Sequence, residues 1–303
     1  MAASNGAPLV VFDFDKTIVD CDSDNWVVDA LGATQRFDEL LRQLPWNYAI
    51  DAMMGELHSQ GKTIQDIRAC LRTAPLSPHV TAAIRSAHAL GCELRILSDA
   101  NTFFIDTILA HHGLAGYFSA IDTNPAHVDA AGRLRIRPYH EFHASAPGHG
   151  CALPTCPPNM CKGKVMERIL LHLQEEASAG AATAKRRRRA VVYLGDGRGD
   201  YCPSLKLCEG DYVMPRTGYP VCDLIAGSPP GAGHGTVRGW AGFEDLGRVL
   251  LGIVDNEIAR SASVPEEDVA GVGMVPVPEC RVLPPLVPSV QEALLPKAVR
   301  VPN

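Results

Sequence analysis

The sequence predicts an α/β protein, with a parallel sheet carrying helices on both faces and a helical segment inserted after the first strand. Three observations predict it. Short apolar runs at residues 8–14 and 191–194, and the more alternating Glu93 to Leu97, end abruptly at polar residues, as buried strands do where they leave the core. Helix-like segments at 80–90, 102–112 and 164–176 flank them, and strands alternating with helices of this length imply βαβ crossovers. Between the first strand and the next βα unit, residues 22–77 show helical periodicity and no strand-like run.

Taken in order, the first strand closes on Asp13 and Asp15. Helix-like pieces then follow at 24–31, 37–44, 46–59 and 64–72, punctuated by Gly32, Pro45 and Gly61. This reads as a cap at 22–77 inserted into a core made of residues 8–21 and 78–255. The second strand closes on Ser98, and the third runs into Gly195 and Asp196. Residues 141–161 are loop-like, rich in Gly, Pro, His and Cys, and 177–189 turn from alanine to the basic run Lys185 to Arg189, expected to be an exposed linker face. Residues 261–303 hold eight prolines and no periodicity, so an extended or disordered tail is expected there.

Composition narrows the function. A chain of 303 residues with 46% hydrophobic content can bury one full core with an insertion. A net charge of −6 leaves no broad cationic surface for a nucleic-acid backbone. No apolar stretch approaches the roughly 20 residues that span a bilayer, and the first residues lack a basic region followed by an apolar one. A cytoplasmic protein acting on a small molecule, with neither membrane nor nucleic acid as partner, is the expectation. The ten cysteines are scattered, which in that compartment means reduced thiols. His140, His143, His149, Cys151, Cys156 and Cys161 crowd one loop; zinc ligation is chemically possible there, but the spacing does not match paired Cys-x-x-Cys, and free thiols are expected.

The chemistry concentrates at strand ends, where α/β folds bind ligands. Asp13 and Asp15, two apart, leave an extended chain on the same side. Two such carboxylates repel unless a divalent cation offsets them, and magnesium favours hard oxygen ligands. Gly195-Asp196-Gly197-Arg198-Gly199-Asp200 offers further carboxylates in Asp196 and Asp200, on a turn whose glycines allow close approach. A phosphoryl group needs donors and positive charge: Ser98 offers a hydroxyl and Lys162 an ammonium. Lys164, two residues along the same helix, points elsewhere.

Four segments, Asp13 to Thr17, Ile96 to Asn101, Asn159 to Gly163 and Gly195 to Asp200, resemble in order the four motifs of the haloacid dehalogenase superfamily. Over residues 8–255 the sequence is similar to the phosphoethanolamine/phosphocholine phosphatase family and its plant relatives, some described as inorganic pyrophosphatases. The resemblance implies a Rossmann-like core with a C1-type cap and a two-step reaction. Asp13 would form an aspartyl-phosphate, with Asp15 protonating the leaving group and then activating water. Magnesium would be held by Asp13, the backbone carbonyl of Asp15 and Asp196, with Asp200 orienting a metal-bound water or Lys162, while Ser98 and Lys162 grip the phosphoryl. Gly199 departs from the pattern, since many relatives carry Asn there, which puts one supporting hydrogen bond in doubt.

Asp20, Asp22, Asp24 and Asp29 follow the first motif, and the presumed cap is more acidic than basic. Asp22, Asp24, Asp99 and Asn101 are therefore candidate substrate contacts, with Trp26, Trp46 and Tyr48 as possible aromatic faces for an ammonium. Phosphocholine and phosphoethanolamine are the expected substrates. Pyrophosphate is the alternative, and would require a second cation or that Arg36, Arg42, Lys62 or Arg72 face the site. A non-catalytic phosphate-binding protein would not need Asp15.

Overall fold

A computed structural model describes residues 6–142, 148–179, 188–229 and 231–263. Strand β1 (Leu9–Phe12) is followed by four helices, α1 (Ser23–Ala30), α2 (Thr34–Leu41), α3 (Trp46–Ser59) and α4 (Ile64–Leu71). The chain continues through α5 (Pro78–Ala89), β2 (Glu93–Asn101), α6 (Thr102–His111), β3 (Ala120–Asn124) and a hairpin of β4 (Ala126–Val128) and β5 (Leu134–Ile136). After the loop come α7 (Lys162–Ala179), β6 (Val191–Gly195), α8 (Tyr201–Ser204), β7 (Tyr212–Pro215), α9 (Pro220–Ala226), β8 (Thr236–Val237) and α10 (Phe243–Ala262).

Side-chain caps set four of the helix starts. Asp22 accepts from the Asn25 N–H to cap α1, Thr63 and Asp66 form a reciprocal capping box on α4, and Ser77 caps α5 ahead of Pro78. Asn101 caps α6 through the Phe104 N–H, and β2 runs on to Asn101 rather than closing on Ser98.

Six strands pair in the order β3-β2-β1-β6-β7-β8, all parallel. Strand alternation sorts side chains to the two faces. Leu9 and Val11 pack with Val165, Met166 and Tyr193 on the α7 face, whereas Val10, Phe12 and Phe14 pack with Ile84, Phe104 and Leu250 on the other. Continuing that alternation, Asp13 points to the α7 face. β1 sits between β2 and β6, where the strand order reverses and crevices form at the carboxyl ends.

The sequence reading leaves β3, the β4–β5 hairpin and the elements after residue 200 unassigned; strands of two to five residues carry little period, a reason that does not extend to the 20-residue α10. The hairpin packs on α3: Asp51 accepts from the Arg135 guanidinium at 2.9 Å and from the Ile136 N–H at 2.8 Å. The basic run needs correction. Residues 180–187 lie outside the described residues, but Arg188 forms a two-pronged pair with the buried Asp211, at 2.7 and 2.6 Å, and Arg189 pairs with Glu93. These arginines are held inward because a buried carboxylate requires a cation. Residues 261 and 262 close α10, and the rest of the expected tail, from 264, lies outside the described residues. Among the described residues no helix is long and apolar enough to cross a membrane.

Candidate active site

Lys162 is the hub of the site. Its ammonium, 2% exposed, lies 2.9 Å from Asp13 Oδ2 and 2.8 Å from Asp200 Oδ1, with Asp99 Oδ1 at 3.7 Å. Burial works against its charge, but Asp13 and Asp200 outweigh it and hold its pKa well above the ordinary lysine value. Lys162 reaches them because it opens α7 on the face to which Asp13 points.

Asp200 is the most constrained carboxylate of the site. Oδ1 accepts from Lys162 and from the Tyr193 hydroxyl at 2.5 Å, and Oδ2 accepts from the N–H groups of Asp196 at 3.0 Å and Gly197 at 2.8 Å. Gly195 permits this: a Cβ there would overlap the Asp200 carboxyl. Asp200 thereby fixes both the lysine and the turn that presents Asp196.

Asp13, Asp196 and Asp200 each place a carboxylate oxygen within 4.8 Å of the others, all buried. Burial, then Asp200, pushes Asp13 well up and Asp196 up to about 8. One ammonium does not balance three carboxylates, and among the described residues none donates a hydrogen bond to the Asp196 side chain. An all-oxygen donor set with excess negative charge suits a hard divalent cation. The Asp15 carboxyl lies outside that triad.

Asp15 faces the helical segment instead. Its Oδ2 accepts from the Ser23 hydroxyl at 3.1 Å, and its buried Oδ1 has no hydrogen-bond partner. Burial, followed by Asp22, Asp24 and Asp13, raises its pKa well above the usual carboxylate range and favours the protonated acid. Asp24 is also buried: Oδ2 accepts from the Trp46 indole at 2.7 Å while Oδ1 is unpartnered, and burial with Asp22 pushes it up to about 8. Asp22 spends one oxygen on the cap of α1.

The remaining candidates sit on β2. Ser98 is fully buried, its Oγ accepting from the Ala100 N–H at 3.3 Å. Asp99 has a half-exposed carboxylate. Asn101 spends its oxygen on α6 and leaves a buried, unpartnered amide nitrogen. Of the aromatic residues considered for the substrate, Trp26 donates to the Cys70 carbonyl and Tyr48 stacks on Phe142 with its hydroxyl bonded to the Phe142 carbonyl.

Sequence reading missed Tyr193, Ser23 and Arg216. Tyr193 could have been found from strand alternation, which sends 191, 193 and 195 to the Asp13 face. Arg216 had no such signal. From the end of β7 it donates to the Lys16 carbonyl at 2.6 Å and to Asp20 at 3.0 Å, beneath the rings of Tyr219, Trp240 and Phe243. It braces the turn after Asp15, where Lys16 adopts φ 55°.

Residues 8–254 match the family described as Putative Phosphatase. The chain is 52% identical over 266 residues to Inorganic pyrophosphatase 2 of Arabidopsis thaliana, covering 88% of this chain and 90% of that one. It is 37% identical over 231 residues to the Phosphoethanolamine/phosphocholine phosphatase of Homo sapiens, covering 74% and 80%. Among solved structures, a HAD family hydrolase from Salmonella enterica shares the fold, with a TM-score of 0.52 at 18% identity over 83% of this chain and 73% of that one.

Proposed function

Because the chain belongs to the Putative Phosphatase family and is a haloacid dehalogenase-type phosphatase, we propose that it hydrolyses small phosphomonoesters with cationic leaving groups, phosphocholine and phosphoethanolamine above others. The observation that carries this reading is the acidic wall around Asp15. Asp24 holds a buried oxygen without a hydrogen-bond donor, with Asp22 and Asp99 close enough to raise its pKa. An ammonium would supply the missing positive charge, whereas a second phosphate would add to the repulsion.

In the proposed reaction, an Asp13 oxygen attacks phosphorus and the ester oxygen leaves with the proton of Asp15. Asp15, now a carboxylate, takes a proton from the water that hydrolyses the aspartyl-phosphate, returning Asp13 and releasing phosphate. Lys162 and Ser98 hold the phosphoryl oxygens, and Asp200 keeps Lys162 in place. Asp13, Asp196 and the Asp15 carbonyl would hold magnesium, which would supply charge neutralisation to the carboxylates and the phosphoryl group. Asp22, Asp24, Asp99 and Asn101 receive the leaving group.

A second reading, hydrolysis of diphosphate, is favoured by the 52% identity to a protein named Inorganic pyrophosphatase 2. Against it, Arg36 is committed to Glu39 and Glu56. The test ranks kcat/KM for phosphocholine, phosphoethanolamine, pyrophosphate and glycerol phosphate with magnesium. Asp13→Asn should release no phosphate from any of them. Asp24→Asn should lower the preference for phosphocholine over glycerol phosphate by about tenfold, the worth of one charge-assisted contact. Pyrophosphate ranking first, with that preference unmoved by Asp24→Asn, would sink the cationic reading and favour the diphosphate.

A further inference from the structure

Four cysteines converge behind the site. Cys151 and Cys156 lie in the loop before α7, Cys161 immediately precedes that helix, and Cys202 is the second residue of α8. Their sulfurs are separated by 3.5 Å (Cys151 to Cys156), 3.8 Å (Cys156 to Cys161), 3.7 Å (Cys161 to Cys202) and 3.9 Å (Cys151 to Cys202), and all four lie within 4.8 Å of one another. A tetrahedron of thiolates at the zinc–sulfur distance of about 2.3 Å has edges of about 3.8 Å. The quartet has that size. Two disulfides would instead bring sulfurs together in pairs at about 2.0 Å.

We propose that Cys151, Cys156, Cys161 and Cys202 form a structural zinc site. The neighbouring imidazoles serve the ligands' backbone rather than the metal. His149 donates from Nε2 to the Pro157 carbonyl at 2.9 Å and accepts the Cys151 N–H on Nδ1 at 3.1 Å, so both nitrogens are taken. His140 Nδ1 accepts the Cys161 N–H at 3.3 Å. The α7 backbone closes on the Cys202 sulfur, and a Cβ at Gly163 would overlap it. Cys161 sits at the positive end of α7, which favours thiolate. Cys161 and Cys202 are buried while Cys151 and Cys156 are partly exposed, which leaves an entry side.

The position gives the metal a purpose. Cys161 adjoins Lys162, and Cys202 lies two residues beyond Asp200, so one ion would clamp together the two segments whose side chains meet at 2.8 Å in the active site. Motif spacing conceals this because the fourth ligand is 41 residues from the third and no Cys-x-x-Cys pair is used.

The experiment measures metal in the full chain purified without chelator, by plasma mass spectrometry. The expected result is about one zinc per chain, at least about tenfold less in Cys151→Ser and Cys156→Ser, and unchanged content in the control Cys70→Ser. Cobalt reconstitution should give the intense visible bands and thiolate charge-transfer absorption of a tetrahedral tetrathiolate, independent of phosphatase activity. Should the serine variants fail to fold, the wild type decides alone: modifying its thiols with a mercurial should release zinc to a chromogenic chelator. Wild-type protein without bound zinc that gives no cobalt spectrum overturns the proposal. So do iron in place of zinc, or zinc retained by both folded variants.

Discussion

Tyr193→Phe isolates one hydrogen bond at the centre of the site. The ring is fully buried against the α7-face core, and the substitution keeps it. Only the hydroxyl is lost, and with it the 2.5 Å bond to Asp200 Oδ1. That oxygen still accepts from Lys162, and Oδ2 keeps both backbone donors, so no carboxylate oxygen is orphaned. The cost should be that of one buried hydrogen bond to a charged acceptor, about 2 kcal/mol. For a domain of this size it corresponds to a fall in Tm of about 4–8 °C. Activity should fall by less than about tenfold, since Tyr193 acts through Asp200 and Lys162 rather than on substrate, and the loss should appear in kcat more than in KM. Differential scanning calorimetry and steady-state phosphate release measure the two effects. An unchanged Tm, or a loss of activity as complete as in Asp13→Asn, would refute the reasoning, the first by showing that the bond carries no net energy and the second by giving Tyr193 a direct chemical role.

Two further outcomes follow from the geometry. Gly195→Ala places a methyl against the Asp200 carboxyl, which four donors prevent from yielding; the variant should lose about 1–3 kcal/mol in urea denaturation and most of its activity, whereas Gly252→Ala, in open space on α10, should keep activity near wild type. For Glu93, burial works to raise the pKa, but Arg95, Ser119 and Arg189 prevail and hold it at about 2, below the ordinary glutamate value of 4.5. A depressed carboxyl stabilises the fold above its unfolded pKa, and that stability is lost as pH falls from about 4.5 through about 2. Glu93→Gln should therefore be less stable than wild type at pH 7, by on the order of 1–2 kcal/mol given partial exposure, and the gap should close as the pH approaches 2. A gap independent of pH would show that the charge is not the source.

Several parts of the site were legible because they are local. Asp13 and Asp15 end an apolar run, Lys162 opens a periodic helix, and glycines flank Asp196. Each follows from strand or helix period over a few residues. The helices between β1 and α5 were legible for the same reason, with breakers at Gly32, Pro45 and Gly61. What failed were short or distant features: the two-residue β8 has no measurable period, and Arg188 and Arg189 looked like linker charge because their partners, Asp211 and Glu93, are 23 and 96 residues away.

The sequence by itself determined which residue types stand at the strand ends and the order in which they occur, because backbone period and turn chemistry are short-range. Only the tertiary structure decided their partners. It turned Asp13 toward Lys162, bound Asp200 with four donors, set Asp15 and Asp24 in a buried acidic wall, and drew Cys202 to three cysteines 41 to 51 residues earlier. Those outcomes depend on packing and desolvation between segments that the chain keeps far apart, and neither is written in local spacing.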